Sequence, residues 1–126
     1  MRVLVCGGRG YTDYAKVCEV LNGIWEACGK PLTIIEGGAR GADSLAKMWS
    51  KANPSTVTET YPADWSTYGK SAGYIRNSQM LKEGKPDLVV AFPGGVGTAM
   101  MVKIAKLAGV EVIEVEYDYR RNPKDH

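Results

Sequence analysis

Short apolar, β-branched runs in this chain each give way to a segment of helical period, and that alternation restricts its fold more than any other feature. Val3 to Cys6 is followed by Val17, Cys18, Leu21, Ile24, Trp25 and Cys28 at i, i+3, i+4, i+7 spacing. Leu32 to Ile35 precedes Ala42, Leu45, Ala46 and Trp49, and Val57 to Tyr61 precedes a helix expected from about Ala72 to Lys82. Leu88 to Phe92 precedes Met101, Ile104, Ala105 and Ala108, and Glu111 to Val115 closes the series. Five strands alternating with four helices through short connections imply parallel strands and right-handed crossovers. The expected fold is therefore α/β: a Rossmann-like three-layer sandwich on a five-stranded parallel sheet of order 3-2-1-4-5 with four helices. Residues 1–118 form one domain in this reading, and 119–126 a charged tail.

That strand order puts the first and fourth strands side by side where the winding reverses, and ligands bind such sheets outside the carboxyl ends of the strands at that crevice. Three glycine-rich loops open onto this edge: "GGRGYTD", "EGGARGAD" and "PGGVGT". The opposite edge carries "ACGKP", "KANPST", "KEGKPD" and "LAGVE", which read as helix stops and turns. The connection "PADWSTYGKSAG", Pro62 to Gly73, is longer than a crossover needs, and loops of that kind are usually functional.

Bare backbone N–H groups at Gly94, Gly95 and Gly97, with Thr98 at the start of the next helix, can cradle an anion that also meets the helix dipole. Gly8 and Arg9 in the first loop, Gly37, Gly38 and Arg40 in the second, and Trp65 and Lys70 in the long connection are further candidate ligand contacts. An arginine there binds phosphate bidentately, Trp65 stacks on a base and Lys70 approaches a phosphate. The first loop departs from the dinucleotide fingerprint at Asp13, where a third glycine is expected, and Thr12 or Asp13 can instead cap a helix.

Composition bounds the chemistry. The net charge of +2 is small and its basic residues are interspersed with acids, which does not point to a nucleic-acid or membrane partner. The apolar run at the start is too short for a signal peptide, and the three cysteines form no CxxC pair, so the expected compartment is the reducing cytoplasm. The only histidine is His126, which removes Ser-His and Cys-His nucleophiles and multi-His metal centres; there is no metal signature and no cofactor is indicated.

Together, "GGRGYTD", "EGGARGADSLA", "YPADWSTYGKSAGYIRNSQML" and "DLVVAFPGGVGTAMMV" resemble, in order and over nearly the whole chain, the motifs of the SLOG superfamily and its YpsA-related (YspA-type) group. The resemblance implies binding of a nucleotide or nucleotide-derived, ADP-ribose-like ligand as sensor, carrier or sponge, often by a homodimer. "GARGAD" also resembles a phosphate-proximal motif of the DNA-processing protein DprA, and "PGGVGT" with "RNSQM" resembles the PGGxGTxxE and RKxxM motifs of the cytokinin-activating phosphoribohydrolases. Those enzymes cleave a base from a nucleoside monophosphate with the motif Glu and Arg. Arg76 occupies the Arg position, Asn77 replaces the Lys, and Met101 stands where the Glu belongs. A methionine can neither activate water nor stabilise an oxocarbenium-like centre with charge. An N-glycosidase or phosphoribohydrolase would need a relocated carboxylate, for which Glu36, Asp43 and Asp64 are the catalytic candidates. Binding module and hydrolase both stay open, and DprA-like single-strand binding is the third alternative.

Overall fold

A computed structural model describes residues 1–29 and 31–117; the tail expected over 119–126 lies outside them. The strands are β1 (Arg2–Cys6), β2 (Thr33–Glu36), β3 (Val57–Thr60), β4 (Leu88–Ala91) and β5 (Glu111–Glu114). Between them run α1 (Tyr14–Cys28), α2 (Ala42–Lys51), the single turn α3 (Trp65–Tyr68), α4 (Ala72–Gly84) and α5 (Val96–Leu107). All five strands are parallel in the order β3-β2-β1-β4-β5, as the alternating pattern predicts. The long connection departs from that pattern. It folds into α3 and a 3-10 turn, Gly69–Ser71, whose single turns are too short for a periodic signal.

Alternation along the buried strands divides the core between the two faces of the sheet. Val3, Val5, Ile34, Leu88 and Val90 point to one face, where Val17 and Leu21 of α1 and Ala46 and Trp49 of α2 cover them. Leu4, Cys6, Ile35, Val89 and Ala91 point to the other, under Met80 of α4 and Met101 and Ala105 of α5. Met101 is wholly buried, so the residue in the motif's Glu position serves the core. Trp49 stacks edge-on against Trp25, with ring centroids 6.4 Å apart, and its Nε1 donates to Asn22 Oδ1 at 2.9 Å, fastening α2 to α1.

Helix ends follow ordinary capping chemistry away from the site. Asp13 caps α1 by accepting from the Lys16 amide at 3.0 Å, and Gly29 ends the helix in the left-handed region at φ 62°. At the amino edge of the sheet Arg2 forms a two-pronged pair with Glu59, at 2.9 and 2.5 Å, across the intervening strand. That pairing holds the Glu59 carboxyl below the usual carboxylate range.

Candidate functional site at the carboxyl edge of the sheet

β1 and β4 end side by side, and the loops that follow are locked together by backbone contact: the Gly8 amide donates to Pro93 O at 2.9 Å, and the Ala42 amide at the start of α2 donates to Gly8 O at 3.2 Å. Above them opens a cleft of about 380 Å³. Its floor includes Cys6, Gly7 and Gly8; Gly95, Gly97 and Thr98 of the "PGGVGT" loop form one wall, and Trp65 and Lys70 of the long connection lie at its rim. From α4 come Gly73, Arg76, Asn77 and Met80. A second lobe of about 280 Å³ adjoins it, lined by Gly37, Gly38, Arg40, Pro62 and Ala63 and sharing Arg9, Ala39, Trp65 and Arg76 with the first. Arg9 stacks on Trp65, its Cζ 5.3 Å from the ring centroid.

The three loops are not equivalent as anion receptors. In "EGGARGAD" the amides turn inward: Gly37 and Ala39 donate to Asp43 Oδ2 at 3.1 and 3.3 Å, and Gly38 donates to Glu36 Oε1 at 2.7 Å. Two carboxylates thus occupy the nest that an external anion would need. The "PGGVGT" loop is different, because α5 begins at Val96 with no side-chain cap on its first turn. The first N–H groups of a helix have no intrahelical partner, so this end retains donors and dipole for a ligand.

Among the candidate carboxylates the fold brings one into the cleft. Glu36 is wholly buried beneath it, its oxygens accepting from Gly38 N–H and the Thr60 hydroxyl. Asp64 is exposed and caps α3, where hydrogen bonds from Thr67 and Ser66 hold its carboxyl below the usual range. Asp43 lines the first lobe, and burial pushes its carboxyl up to about 6, against the pull of the Gly37 and Ala39 amides and of nearby Arg76. Burial likewise pushes the Cys6 thiol up to about 12, which keeps it an inert part of the floor.

Arg76 is the centre of the arrangement. Its Nη1 donates to Gly37 O at 2.5 Å, its Nε donates to Asn77 Oδ1 at 3.0 Å, and the guanidinium lies where a side chain on Gly37 would otherwise be. Asn77 in turn donates from Nδ2 to Gly97 O at 3.2 Å. Its amide is therefore engaged within the protein, tying Arg76 to the first turn of α5. Gly94 sits behind the cleft against the Gly8 backbone and is not part of the lining. Residues of the first lobe that the sequence does not single out are Cys6, Gly7, Ala39, Gly73, Tyr74 and Met80. Residues 73, 76, 77 and 80 form an i, i+3, i+4, i+7 stripe, which could have identified the cleft-facing side of α4 once Arg76 was singled out.

Asp43 has a measurable signature. A carboxyl with a folded-state pKa above its unfolded value adds stability that is complete below the unfolded value and is lost as pH rises through the folded one. Thermal stability should thus decline between about pH 4 and pH 7 by an amount on the order of 2 kcal/mol, then level off. Asp43→Asn keeps an oxygen to accept from Gly37 and Ala39 but cannot ionise. It should lack that decline and be the more stable protein at pH 8. Superimposable melting profiles across this range would show that Asp43 does not change charge there.

Residues 1–68 match the model of the YspA, cpYpsA-related SLOG family. The Gene 61 protein of Mycobacterium phage D29 is 36% identical over 118 residues, covering 89% of this chain and 94% of that protein. The chain belongs to the YspA, cpYpsA-related SLOG family. The family match spans the first two glycine loops and Asp64, whereas Arg76 and "PGGVGT" lie beyond it. Two crystal structures of the C-terminal domain of a Pyrococcus furiosus hydrogenase share the fold of this SLOG chain. Their TM-scores are 0.52 and 0.53 at 21% and 20% identity, and the match covers 90% and 91% of each chain. Among the described residues, no helix is long and apolar enough to cross a membrane.

Proposed function

We propose that the protein binds a nucleotide or nucleotide-derived, phosphate-bearing ligand, with a phosphate between Arg76 and the uncapped start of α5. It would act as sensor, carrier or sponge. The observation that carries this reading is the juxtaposition in one cleft of a half-buried guanidinium with a helix start whose donors no side chain uses. Trp65 and Lys70 at the rim supply a stacking surface and a second cation. SLOG membership supports a nucleotide-related ligand. A homodimer accords with the family resemblance and with Tyr68, Tyr74 and Ile75, large apolar side chains left exposed beside the cleft.

Thermal melting with paired ligands tests the reading. Nucleoside phosphates should raise the melting temperature while the matching nucleosides leave it unchanged. The shift should vanish in Gly95→Val, since open space surrounds Gly95 in the fold and the added side chain would block only the approach to the α5 amides. Equal protection by nucleosides would remove the phosphate from the reading.

Asp43 favours a second reading, hydrolysis of the N-glycosidic bond of a bound nucleotide. A cleft carboxyl pushed up to about 6 is poised between acid and base near neutral pH. Incubation with nucleoside monophosphates and NAD-derived compounds, followed by chromatography, separates the two: released base or ribose phosphate means hydrolase, and intact retained ligand means binder.

A further inference from the structure

The connection from β3 to α4 crosses the mouth of the cleft without being built into the body of the protein. Residues 64–71 are all exposed, and neither α3 nor the 3-10 turn buries a side chain. Their hydrogen bonds close locally: Asp64 Oδ1 accepts from the Ser66 hydroxyl and the Thr67 amide at 2.9 and 3.1 Å, and the Gly69 amide donates to Trp65 O. Among the described residues, no hydrogen bond or ion pair fastens this segment to the glycine loops. A self-contained surface unit of this kind opens at a small fraction of the free energy of global unfolding. Gly69, between α3 and the 3-10 turn, has φ 55° and ψ −129°, while nothing lies within 4 Å of a Cβ added there. Glycine is therefore required by the backbone and not by packing, as at a pivot. What holds the segment across the cleft is Trp65, whose indole lines both lobes, lies over Gly73 of α4 and stacks on the Arg9 guanidinium at 5.3 Å. Arg76, which Asp43 attracts, repels Arg9, and the indole face offsets part of that repulsion.

We propose that residues 64–71 form a lid: the α3 turn swings about Gly69, and the stacking of Trp65 on Arg9 is the latch that holds it across the mouth of the cleft. Unlatched, it uncovers the floor that includes Cys6, Gly7 and Gly8. This rests on the cleft being the ligand site, and it makes the latch the control on entry and release. The device works with any occupant that fits the cleft, so its test needs no ligand.

Cys6 on the floor reports that access, because a reagent must pass the lid to modify it. Methyl methanethiosulfonate is applied to the unliganded wild type, Gly69→Ala, Arg9→Gln and Gly10→Ala, and labelling is followed by peptide mass spectrometry. Cys18 and Cys28 on α1 are internal references. The raised pKa of Cys6 slows the reaction throughout, so relative rates carry the comparison. Gly69→Ala strains the latched backbone and should label Cys6 at least about fivefold faster. Arg9→Gln removes the cation from the indole and should label it about two- to fivefold faster, the worth of an exposed cation–π contact. Loss of a nearby cation disfavours the thiolate, so acceleration in Arg9→Gln is not a charge effect on Cys6. Gly10→Ala, in open space next to Arg9, should keep the wild-type rate, as should Cys18 and Cys28 in every protein. Equal Cys6 rates in all four proteins overturn the lid and leave the ligand reading standing. Acceleration of all three cysteines together marks general loosening of the fold, and acceleration in only one of Gly69→Ala and Arg9→Gln marks a local effect of that residue; either overturns the latched lid. Failure of nucleoside phosphates to protect the protein would remove the ligand reading without altering these rates.

Discussion

Gly41→Ala is expected to destabilise the protein by about 2–5 kcal/mol, as the sum of backbone strain and overpacking. Gly41 caps α2 with φ 78° and ψ −129°, a conformation that residues with a side chain rarely adopt. An added Cβ would also fall on the Gly8 carbonyl oxygen and within 2.7 Å of the Arg9 carbonyl carbon. That Gly8 oxygen already accepts from the Tyr11 and Ala42 amides, both at 3.2 Å, so it cannot withdraw without breaking the contact between the first two glycine loops. A melting temperature lower by 10 °C or so should result, for a domain of this size. Gly10→Ala, where nothing lies within 4 Å of the added carbon, is the control and should change little. A loss below about 1 kcal/mol at Gly41 would show that the loops can separate at low cost, and that the cleft is not held ready by its own backbone.

The glycine loops gather at one sheet edge, but the direction of each amide is decided by the tertiary structure. Their convergence on one sheet edge was legible because strand order follows from the alternation of strand and helix and from crossover handedness. What each glycine does was not, because the sequence cannot say which way an amide points. "EGGARGAD" looks as receptive as "PGGVGT", yet its N–H groups close on Glu36 and Asp43, acids that local sequence equally allows to face a substrate. Asp43 and Glu36 are separated by geometry alone: one reaches the cleft from the first turn of α2, and the other is sealed below it by Thr60. Asn77 shows the same limit, since its position beside Arg76 suggested a ligand contact and the fold uses both ends of its amide internally. Single-turn α3 was likewise beyond any periodic signal, although Asp64 followed by Ser66 and Thr67 carries its capping chemistry in plain view.

Arg76→Ala should weaken binding of a phosphate-bearing nucleotide by about 1.5–3 kcal/mol, the usual contribution of a charge-assisted hydrogen bond, or roughly 10- to 150-fold in affinity. The apolar positions of α4 do not call for a cation, and on that ground alone unliganded stability would hardly change. The contacts alter that expectation. Arg76 donates to Gly37 O and attracts Asp43, while burial holds its own pKa below the ordinary guanidinium value. Its removal leaves the Asp43 charge without that partner, so the unliganded variant should melt lower at pH 8. At pH 5, below the value of about 6 to which the carboxyl is pushed, Asp43 is largely protonated and the gap should narrow to what the lost hydrogen bond to Gly37 O contributes. Calorimetric titration beside melting at both pH values distinguishes the roles. An affinity loss at pH 8 in excess of what the melting change explains places Arg76 on the ligand. A lowered melting point with unchanged affinity would instead confine the guanidinium to holding Gly37 and Asp43 in place, and the phosphate would have to be held by the α5 amides without it.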